Sequence, residues 1–412
     1  MSMRTFYNFL ISFIQFILPF FALFNKKIKL FVDGRKQTLT ILKEKISKNN
    51  SIIWIHTASL GEYEQGLPII KELKKMYSNK KIVVSFFSPS GYEIKKNTTD
   101  SNVVVYLPLD TKKNVISFLD ALQPEIAIFV KYEFWINYLF ELKKRNIKTY
   151  LVSGIFRKNQ IFFTWYGGLL RKALFSFTHF FVQNDISKNL LQSIGFSNVT
   201  TSGDTRFDRV LEILHQNNSL DFIEKFVNNQ ICIVFGSSWR EDEEIFLQFV
   251  NYCPEHIKII IAPHNINENE INSLRRKIHK KVTFFSEKDT KNLSEYNVFI
   301  IDTIGILTKV YSYADIAYVG GGMKTGLHNV LEPAVFGIPV VIGKEYSKFL
   351  EAKELVKLGG ILSVDNPKDF SKVIIAFVVD KNLRQKAGNI NKNYIESKKG
   401  ATNTFIQFIK NQ

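Results

Sequence analysis

The sequence predicts an α/β protein with two Rossmann-like, doubly wound parallel-sheet domains that face a cleft, preceded by a membrane-anchoring helix. Three observations predict this fold class. At 412 residues the chain exceeds one ordinary core, so two domains are expected. Continuous apolar runs alternate with helical patterns in both halves, which is typical of parallel sheets covered on both faces. A polar stretch, residues 216–219, separates the two halves.

The first element is an uncharged segment from Thr5 to Phe24, in which fifteen of twenty residues are apolar. Twenty helical residues extend about 30 Å, enough to cross a hydrocarbon core. Four of its polar or helix-breaking residues, Asn8, Ser12, Gln15 and Pro19, fall on one stripe. The stripe favours a helix that lies in the membrane interface or packs against protein over a lone span. Lysines and arginines follow it, which predicts that the body stays on the cytoplasmic side.

The remaining elements follow from apolar runs and their spacing. We expect the membrane helix within residues 1–30, an N-terminal domain in 31–210 and a C-terminal domain in 211–412. The predicted strands are Ile52–His56, Ile82–Phe87, Val103–Leu107, Ile126–Val130, Thr149–Val152 and Phe180–Val182, then Ile231–Phe235, Ile257–Ala262, Val298–Ile301, Ile316–Val319, Val340–Ile342 and Ile361–Val364. The predicted helices of the first half include Glu62–Met76, Lys112–Leu122, Glu133–Arg145 and Thr164–Phe177. In such sheets, ligands bind at the carboxyl ends of the strands.

The net charge is uneven along the chain. Residues 1–202 hold 28 basic and 13 acidic residues, hence +15, whereas residues 203–412 hold 27 and 25, hence +2. An anionic partner should therefore meet the first half. Nucleic acid and anionic lipid both qualify by charge, but no zinc-finger, basic-zipper or RNP-type signature accompanies it. We therefore expect an anionic membrane surface as partner and no nucleic acid.

Two carboxylates in the first half follow predicted strands. Glu62 begins the helix after Thr57-Ala-Ser-Leu-Gly, where burial in a closed cleft would raise its pKa and make it a proton acceptor. The alternative is a favourable charge at a helix N-terminus. Glu133 lies in Lys131-Tyr-Glu-Phe-Trp135, beside aromatic residues that would stack on a sugar or belong to the core.

A basic and aromatic tract occupies residues 157–172. Arg157 and Lys158 precede it and Arg171 and Lys172 end it, with four aromatic residues between. Such interleaving fits an acceptor or membrane surface, where cations meet phosphate and aromatic rings lie at headgroup depth. An ordinary amphipathic helix with a solvated basic face remains the alternative.

In the second half, a glycine-rich loop follows the strand that ends at Val319. Glycines allow backbone amides to approach an anion, so Gly321 and Gly322 are candidate phosphate contacts, as are Ser237 and Ser238 after the first strand of this half. A plain βα turn and a serine N-cap are the alternatives. His264 after the next strand is a candidate for binding phosphate or base, or is simply a polar surface residue.

Divalent metal binding is not indicated by the sequence. It contains no Asp-x-Asp pair and no clustered His and carboxylate residues of metal-ligand spacing. It also lacks a Walker-type Gly-Lys-Ser/Thr loop. We therefore expect no metal and no cofactor, with helix dipoles and cations neutralising a leaving phosphate. Two cysteines, Cys232 and Cys253, lie in or beside apolar segments and suggest a reducing compartment.

Taken in order, the motifs resemble a known family. They are His56-Thr-Ala-Ser-Leu-Gly-Glu62, Tyr132-Glu-Phe-Trp135, Gly203-Asp-Thr-Arg-Phe-Asp208, Gly236-Ser-Ser, Asp302-Thr-Ile-Gly305, Val319-Gly-Gly-Gly and His328-Asn-Val-Leu-Glu-Pro333. This order resembles the 3-deoxy-D-manno-oct-2-ulosonic acid (Kdo) transferases of lipopolysaccharide synthesis, over nearly the whole chain.

The resemblance implies a GT-B glycosyltransferase at the inner membrane, with its catalytic domains on the cytoplasmic face. It would transfer Kdo from CMP-Kdo to a phosphorylated lipid A precursor (lipid IVA), with inversion and without metal. By position, Glu62 resembles the general base, and Glu133 and Arg206 resemble the transition-state stabilisers. CMP would lie against Pro263, His264, Ile304, Gly305, Ile306, Asn329, Val330, Leu331 and Glu332. The alternatives are a membrane-associated GT-B enzyme that uses a UDP- or GDP-sugar and a lipid acceptor, or a non-catalytic nucleotide-binding module.

Overall fold

The structure, a computed structural model, describes residues 3–47 and 49–412. It divides into two compact units, one comprising Met1–Arg209 with Lys399–Gln412, and the other Val210–Lys398. The chain therefore passes into the second unit after Arg209 and returns to the first at Lys399. The sequence-based division instead assigned all of residues 211–412 to the second domain.

The first unit is built on a seven-stranded sheet in which every neighbouring pair of strands is parallel, in the order β3-β2-β1-β4-β5-β6-β7. Its strands are rich in Ile, Val and Phe and are almost completely buried, as expected for a sheet covered on both faces. The strands are β1 Ser51–Thr57, β2 Lys80–Phe86, β3 Val103–Tyr106, β4 Ile126–Val130, β5 Lys148–Gly154, β6 His179–Val182 and β7 Val199–Thr201.

Helices cover both faces of this sheet through their apolar stripes, except α1 (Met3–Ala22), which has no fully buried residue. Two helices begin later than predicted, α6 (Ile136–Lys144) and α7 (Gly168–Leu174). A left-handed turn at Lys131 (φ 71°) directs the chain into a loop, so α6 starts at Ile136 and leaves Glu133 outside it. The helices are α1 Met3–Ala22, α2 Lys26–Lys45, α3 Leu60–Met76, α4 Pro89–Lys95, α5 Lys112–Leu122, α6 Ile136–Lys144, α7 Gly168–Leu174, α8 Asp185–Ser193 and α9 Thr205–Leu211.

The second unit repeats the plan with a seven-stranded parallel sheet in the order β10-β11-β9-β8-β12-β13-β14. Its strands are β8 Ile231–Ser238, β9 Ile257–Pro263, β10 Val282–Phe284, β11 Val298–Ile300, β12 Ile316–Val319, β13 Val340–Gly343 and β14 Ile361–Val364. Its helices are α10 Asp221–Val227, α11 Arg240–Tyr252, α12 Glu268–Arg276, α13 Leu307–Val310, α14 Leu331–Ala334, α15 Leu350–Leu358, α16 Pro367–Val379 and α17 Lys381–Ser397. Two parallel α/β sheets confirm the predicted fold class.

The last helix, α18 Ala401–Lys410, belongs to the first unit. Phe405, Ile406 and Ile409 on its apolar stripe are buried in the core that also holds Tyr150 and Phe181. The helix begins where Asp208, at the end of the first unit's other segment, accepts hydrogen bonds from the main-chain amides of residues 400 and 402, at 2.6 and 2.7 Å. The chain's end thus completes the N-terminal core.

The N-terminal helix α1 is long and apolar enough to cross a membrane by length and composition. Only residues on one of its stripes, such as Tyr7, Ile11 and Leu18, are half-buried, and none is fully buried. The rest of the helix exposes large aromatic side chains, including Phe16. A membrane anchor at this position therefore remains compatible with the structure.

Candidate active site

In the first unit, Glu62 lies in the first turn of α3, at the carboxyl end of β1. Ser59 is the N-cap of α3, and its hydroxyl accepts a hydrogen bond from the Glu62 amide. The small residues of this turn allow the carboxylate to fold back, so that its Oε2 accepts the Ala58 amide at 2.5 Å. The side chain is consequently buried, with about 9% of the residue exposed.

This environment raises the pKa of the Glu62 carboxyl to about 7. Burial is the largest cause because it disfavours the charged form, and the neighbouring negative charge of Glu133 adds to it. The Ala58 amide and the positive charge of Lys131 act in the opposite direction. A carboxyl group with a pKa near neutrality is suited to accept a proton at physiological pH.

Glu133 lies on the loop after β4, held by two ring nitrogens. The indole N–H of Trp135 donates to its Oε2 at 2.7 Å, and Nε2 of His56 lies 3.1 Å from the same oxygen. His56 is completely buried at the end of β1, and its Nδ1 lies 2.9 Å from the hydroxyl of Ser85 on β2, which can donate to Nδ1 and leave the ring proton on Nε2. The Glu133 carboxylate is thereby fixed in position near Glu62, and the spacing of β1, β2 and β4 in the sheet dictates this arrangement.

Arg206 belongs to the same unit, at the start of α9. Its Nε donates to Oδ2 of Asp204 at 2.8 Å, and about a third of its side chain is exposed. Asp204 also accepts from Nε2 of Gln65 at 3.1 Å. Gln65 follows Glu62 by three positions on α3, so both residues lie on one face of that helix. A short chain of hydrogen bonds therefore links Arg206 to the helix that carries Glu62.

The basic and aromatic tract divides into structural and exposed parts. Arg171 is half-buried, and its Nη1 donates to the carbonyls of Phe162 and Thr164, at 3.0 and 2.7 Å. It therefore holds the loop in place. Trp165 is 91% exposed. The exposed cations of the tract are Arg157, Lys158 and Lys172.

In the second unit, three rings form a cluster at the carboxyl ends of the strands. The ring of His264 lies 4.4 Å from that of Trp239 and 4.4 Å from that of His328, near parallel to both. The Trp239 indole N–H donates to Nε2 of His328 at 2.9 Å. Burial, followed by the neighbouring His264, lowers the pKa of His328 to about 4. His328 is therefore neutral near pH 7, with its proton on Nδ1.

The glycine-rich loop is organised by a buried acid, Asp242 of α11. Its carboxylate accepts the main-chain amides of Trp239 and Gly321, at 2.9 and 2.8 Å, and the hydroxyl of Tyr318 at 2.8 Å. The Gly321 amide is thus engaged within the protein. Gly322 packs against another segment, because a Cβ there would lie 2.8 Å from the amide nitrogen of Gly343.

Ser237 and Ser238 end β8 beside this loop. Ser237 adopts a left-handed conformation (φ 54°), and the carbonyl of Ser238 accepts the His264 amide at 2.9 Å. The Ser238 hydroxyl is buried without a hydrogen-bond partner among residues 3–47 and 49–412. A cavity of about 350 Å³ lies against Ser238 and also touches Trp239 and Pro263. The buried oxygen has almost no accessible surface in this structure, so a phosphate contact from Ser238 stays a prediction.

The other predicted nucleotide contacts lie on two further strand-to-helix connections. Ile304 is 85% exposed and Gly305 has φ 95°, so this loop presents its backbone. Ile306 is the residue before α13. The side chains of Val330 and Leu331 are buried in the core, which leaves their main chain for any contact.

Glu332 and Asn329 form a polar pair beside them. Asn329 Nδ2 donates to Oε1 of Glu332 at 3.0 Å, and the Thr308 hydroxyl donates to Oε2 at 2.9 Å. The two oxygens of Glu332 therefore accept hydrogen bonds, one from the preceding loop and one from helix α13. This arrangement fixes the carboxylate, which accepts but does not donate hydrogen bonds.

Among the described residues, no group of three or more His, Cys, Asp or Glu side chains is arranged to hold a metal ion. Metal-free chemistry remains a prediction. The residues that sequence reasoning gave no role are His56, Trp239, Asp242 and His328. His56 stands in a recognised motif at a strand end, which was a usable signal. The roles of Trp239 and Asp242 depend on partners far along the chain and had no local signal.

Comparison with known proteins agrees with the resemblance found in the sequence. The family described as "3-Deoxy-D-manno-octulosonic-acid transferase (kdotransferase)" matches residues 33–209. The 3-deoxy-D-manno-octulosonic acid transferase of Aquifex aeolicus is 30% identical over 327 residues, which cover 77% of this chain and 83% of that protein. A bifunctional glycosyltransferase/methyltransferase of Fusobacterium nucleatum is 28% identical over 87% of this chain. The chain spans 57% of that longer protein's length.

Solved structures support the fold. The UDP-GlcNAc 2-epimerase of Neisseria meningitidis, bound to UDP-GlcNAc, superposes with a TM-score of 0.62 at 16% identity. The match covers 88% of this chain and all of the epimerase chain. At this level of identity the likeness concerns the fold, two Rossmann-like units of the GT-B type.

Proposed function

This chain belongs to the family of 3-deoxy-D-manno-octulosonic acid (Kdo) transferases, and from that premise we propose that it transfers Kdo from CMP-Kdo to a lipid A precursor, lipid IVA. The reaction inverts the configuration at the anomeric carbon and uses no metal ion. The observation that carries the proposal is the buried Glu62 carboxyl, whose pKa of about 7 is suited to general base catalysis.

In the proposed reaction, Glu62 accepts the proton of the acceptor's primary hydroxyl. The hydroxyl oxygen forms a bond to the anomeric carbon of Kdo from the face opposite the phosphate. The bond from that carbon to the phosphate oxygen breaks, and CMP leaves with the electron pair. A single displacement of this kind inverts the anomeric centre.

Glu133 and Arg206 serve the transition state in this proposal. Positive charge builds on the sugar ring as the phosphate departs, because glycosyl transfer passes through an oxocarbenium-like state. A carboxylate held by Trp135 and His56, as Glu133 is, stabilises that charge without having to reorganise. The Arg206 guanidinium stabilises negative charge on the phosphate or on the Kdo carboxylate.

The second unit binds CMP in this proposal. The flat rings of His264 and Trp239 provide a surface for the nucleotide, and Nδ1–H of neutral His328 provides a donor. Asn329 and the fixed Glu332 carboxylate accept hydrogen bonds from the ribose hydroxyls.

We place the enzyme at the cytoplasmic face of the inner membrane. The apolar helix α1 and the net charge of +15 in residues 1–202 support attachment to an anionic bilayer. The exposed Arg157, Lys158 and Lys172 suit the phosphates of the acceptor lipid. Partners of the protein are thus CMP-Kdo, a phosphorylated lipid A precursor and the membrane surface.

The test is a product analysis with purified full-length protein. CMP-Kdo and lipid IVA are mixed with the enzyme, with and without a chelator, and the lipid is examined by mass spectrometry. We expect a mass increase of whole Kdo residues that survives chelation. Parallel calorimetry should show CMP bound more tightly than UMP or GDP. Selective binding of UMP or GDP, with no Kdo added to the lipid, would instead favour a UDP- or GDP-sugar enzyme.

A further inference from the structure

The N-terminal helix α1 is attached to the first unit by specific polar contacts. The hydroxyl of Tyr7 donates to Oδ2 of Asp110 at 2.6 Å, and Oδ1 of Asn8 accepts from Nδ2 of Asn137 at 2.7 Å. Asp110 is 1% exposed, and its carboxylate also accepts the main-chain amides of Asn137 and Tyr138. The partner of Tyr7 is therefore a fixed group of the globular unit, whose carboxylate binds the amides at the start of α6.

Two further contacts extend this attachment along the helix. Oε1 of Gln15 accepts from Nδ2 of Asn114 on α5 at 2.8 Å, and the Arg4 guanidinium lies 4.5 Å from the ring centre of Phe140 on α6. Residues 4 to 15 correspond to roughly 17 Å of helix. Between the polar contacts, Ile11 and neighbouring apolar residues of the same stripe are half-buried. The docked face is thus continuous for about three turns.

The opposite face of α1 is an exposed aromatic surface. Its large apolar side chains are between 43% and 82% exposed: Phe6, Phe9, Leu10, Phe13, Phe16, Phe20 and Phe21. Soluble surfaces rarely expose a contiguous apolar patch of this kind, and such patches mark membrane or protein contacts. The exposed cations Lys26, Lys27 and Lys29 follow it directly at the start of α2. Aromatic residues next to cations match an anionic bilayer surface.

These two faces are incompatible with a helix that spans the bilayer alone. If α1 crossed the membrane while docked, the buried carboxylate of Asp110 and the amides of Asn114 and Asn137 would enter the hydrocarbon, where polar groups are costly. If α1 detached, it would carry the unpaired polar groups of Tyr7, Asn8 and other residues into the lipid. A docked helix that lies flat avoids both costs.

We infer that α1 is an in-plane membrane element that stays docked on the first unit, with its phenylalanine face inserted into an anionic bilayer. The N-terminus and the globular unit therefore lie on the same side of the membrane. This inference rests on the membrane attachment in the proposed function and adds its geometry. It also means that the membrane surface is held at a set position relative to the loop between β3 and α5, where Asp110 lies.

Thiol crosslinking tests the docking. In the full-length protein carrying Asn8→Cys and Asn137→Cys, incorporated in vesicles of phosphatidylethanolamine and phosphatidylglycerol, a short bifunctional thiol crosslinker should join the two cysteines within one chain. Their present side chains share a hydrogen bond of 2.7 Å, so the two thiols should lie within reach of such a reagent. The control pair, Phe16→Cys with Asn137→Cys, should stay unlinked because Phe16 is 82% exposed on the other face. Equal yields for the two pairs, or none for the first, would overturn the docking.

Sidedness tests the in-plane orientation without altering any docking contact. Single cysteines at Met3 and at the exposed Lys410 are labelled in sealed vesicles with a maleimide that does not cross membranes. The two natural cysteines, Cys232 and Cys253, are buried and should not react. We expect Met3→Cys and Lys410→Cys to react from the same side. Labelling of Met3→Cys from the opposite side only would show a spanning helix and overturn the inference.

Neither readout uses a donor or acceptor substrate, so the outcome is separable from the proposed function. Same-side labelling in a protein without Kdo transfer would refute the function and leave the helix geometry standing. Opposite-side labelling in an active enzyme would refute the helix geometry and leave the proposed function standing. Failure of the protein to sediment with the vesicles would contradict the inferred membrane insertion itself.

Discussion

At the scale of single residues, the chemistry depends on how the protein treats one carboxyl group. Glu62 would titrate near 4.5 in water, yet burial and the charge of Glu133 raise its pKa to about 7. A base of pKa 4.5 would be charged at neutral pH but would be a weak proton acceptor. The small residues before α3 allow Glu62 to be buried, and this burial makes its carboxylate a more effective base at neutral pH.

The pH dependence of the reaction follows from this pKa. The deprotonated form of Glu62 is the active base, so kcat/KM should rise with pH and level off above about 7. In Glu133→Gln, the negative charge that raises the pKa of Glu62 is gone, so the rising limb should move to lower pH, whatever the loss in rate. The pH–rate profiles of the natural enzyme and of Glu133→Gln measure this shift of the rising limb. A limb that stays in place would mean that Glu133 does not influence the group that titrates.

At the scale of elements, the loop after β12 is held by an internal carboxylate. Asp242 is completely buried and accepts three hydrogen bonds, two from main-chain amides and one from Tyr318. The burial that raises the pKa of Asp242 is opposed by these three donors. The acid thus ties the start of α11 to Gly321 and shapes the loop on which the predicted nucleotide contacts lie.

Removal of this carboxylate should destabilise the second unit. In Asp242→Ala, three buried donors lose their acceptor, and each buried unsatisfied group costs about 1–3 kcal/mol. We expect the free energy of unfolding to fall by at least about 3 kcal/mol, together with weaker CMP binding. Denaturant titration and calorimetry measure the two effects. The control is Glu244→Ala, an exposed acid on the same helix, and an equal loss in both variants would contradict the role of Asp242.

The elements that the sequence predicted best are those with strong apolar periodicity. All twelve predicted strands are present, whereas the short strands β7 and β10, three residues each, were missed because they carry too few residues for a pattern. The helix predicted at 164–177 is only α7, Gly168–Leu174. Residues 164–167 instead form a loop after a 3-10 turn at Ile161–Phe163, and Arg171 holds this loop in place through contacts that are not visible in a local pattern.

At the scale of the whole molecule, the first and last segments of the chain belong to one unit. The helix α18 follows the entire second unit in sequence, yet its apolar stripe fills the core of the first. The amino-acid composition does not indicate that the chain returns to the first unit at α18. The same long-range character explains why the Trp239 and Asp242 contacts were not predicted, whereas Glu62, Glu133 and His264 could be singled out from their places after strands.

The placement of α18 predicts which strands a core mutation in this helix destabilises. Phe405 is 1% exposed and contacts the rings of Tyr150 and Phe181, so Phe405→Ala should cost about 3–5 kcal/mol. Hydrogen exchange should become faster in β5 and β6 and stay unchanged in β8 and β9. The control is Val379→Ala, because that side chain is 79% exposed. Faster exchange confined to the second unit would contradict the assignment of α18 to the first.

The account as a whole depends on Glu62 acting as the base in transfer of Kdo to lipid. The most direct test is the single-turnover rate of Glu62→Gln with CMP-Kdo and lipid IVA, alongside its CMP affinity. Glu72→Gln, an acid with a partly exposed side chain on the same helix, is the matched control. We predict a rate that is about 10²–10⁴-fold lower in Glu62→Gln, with CMP affinity unchanged and the control unaffected. A rate within a few-fold of the natural enzyme would contradict the account.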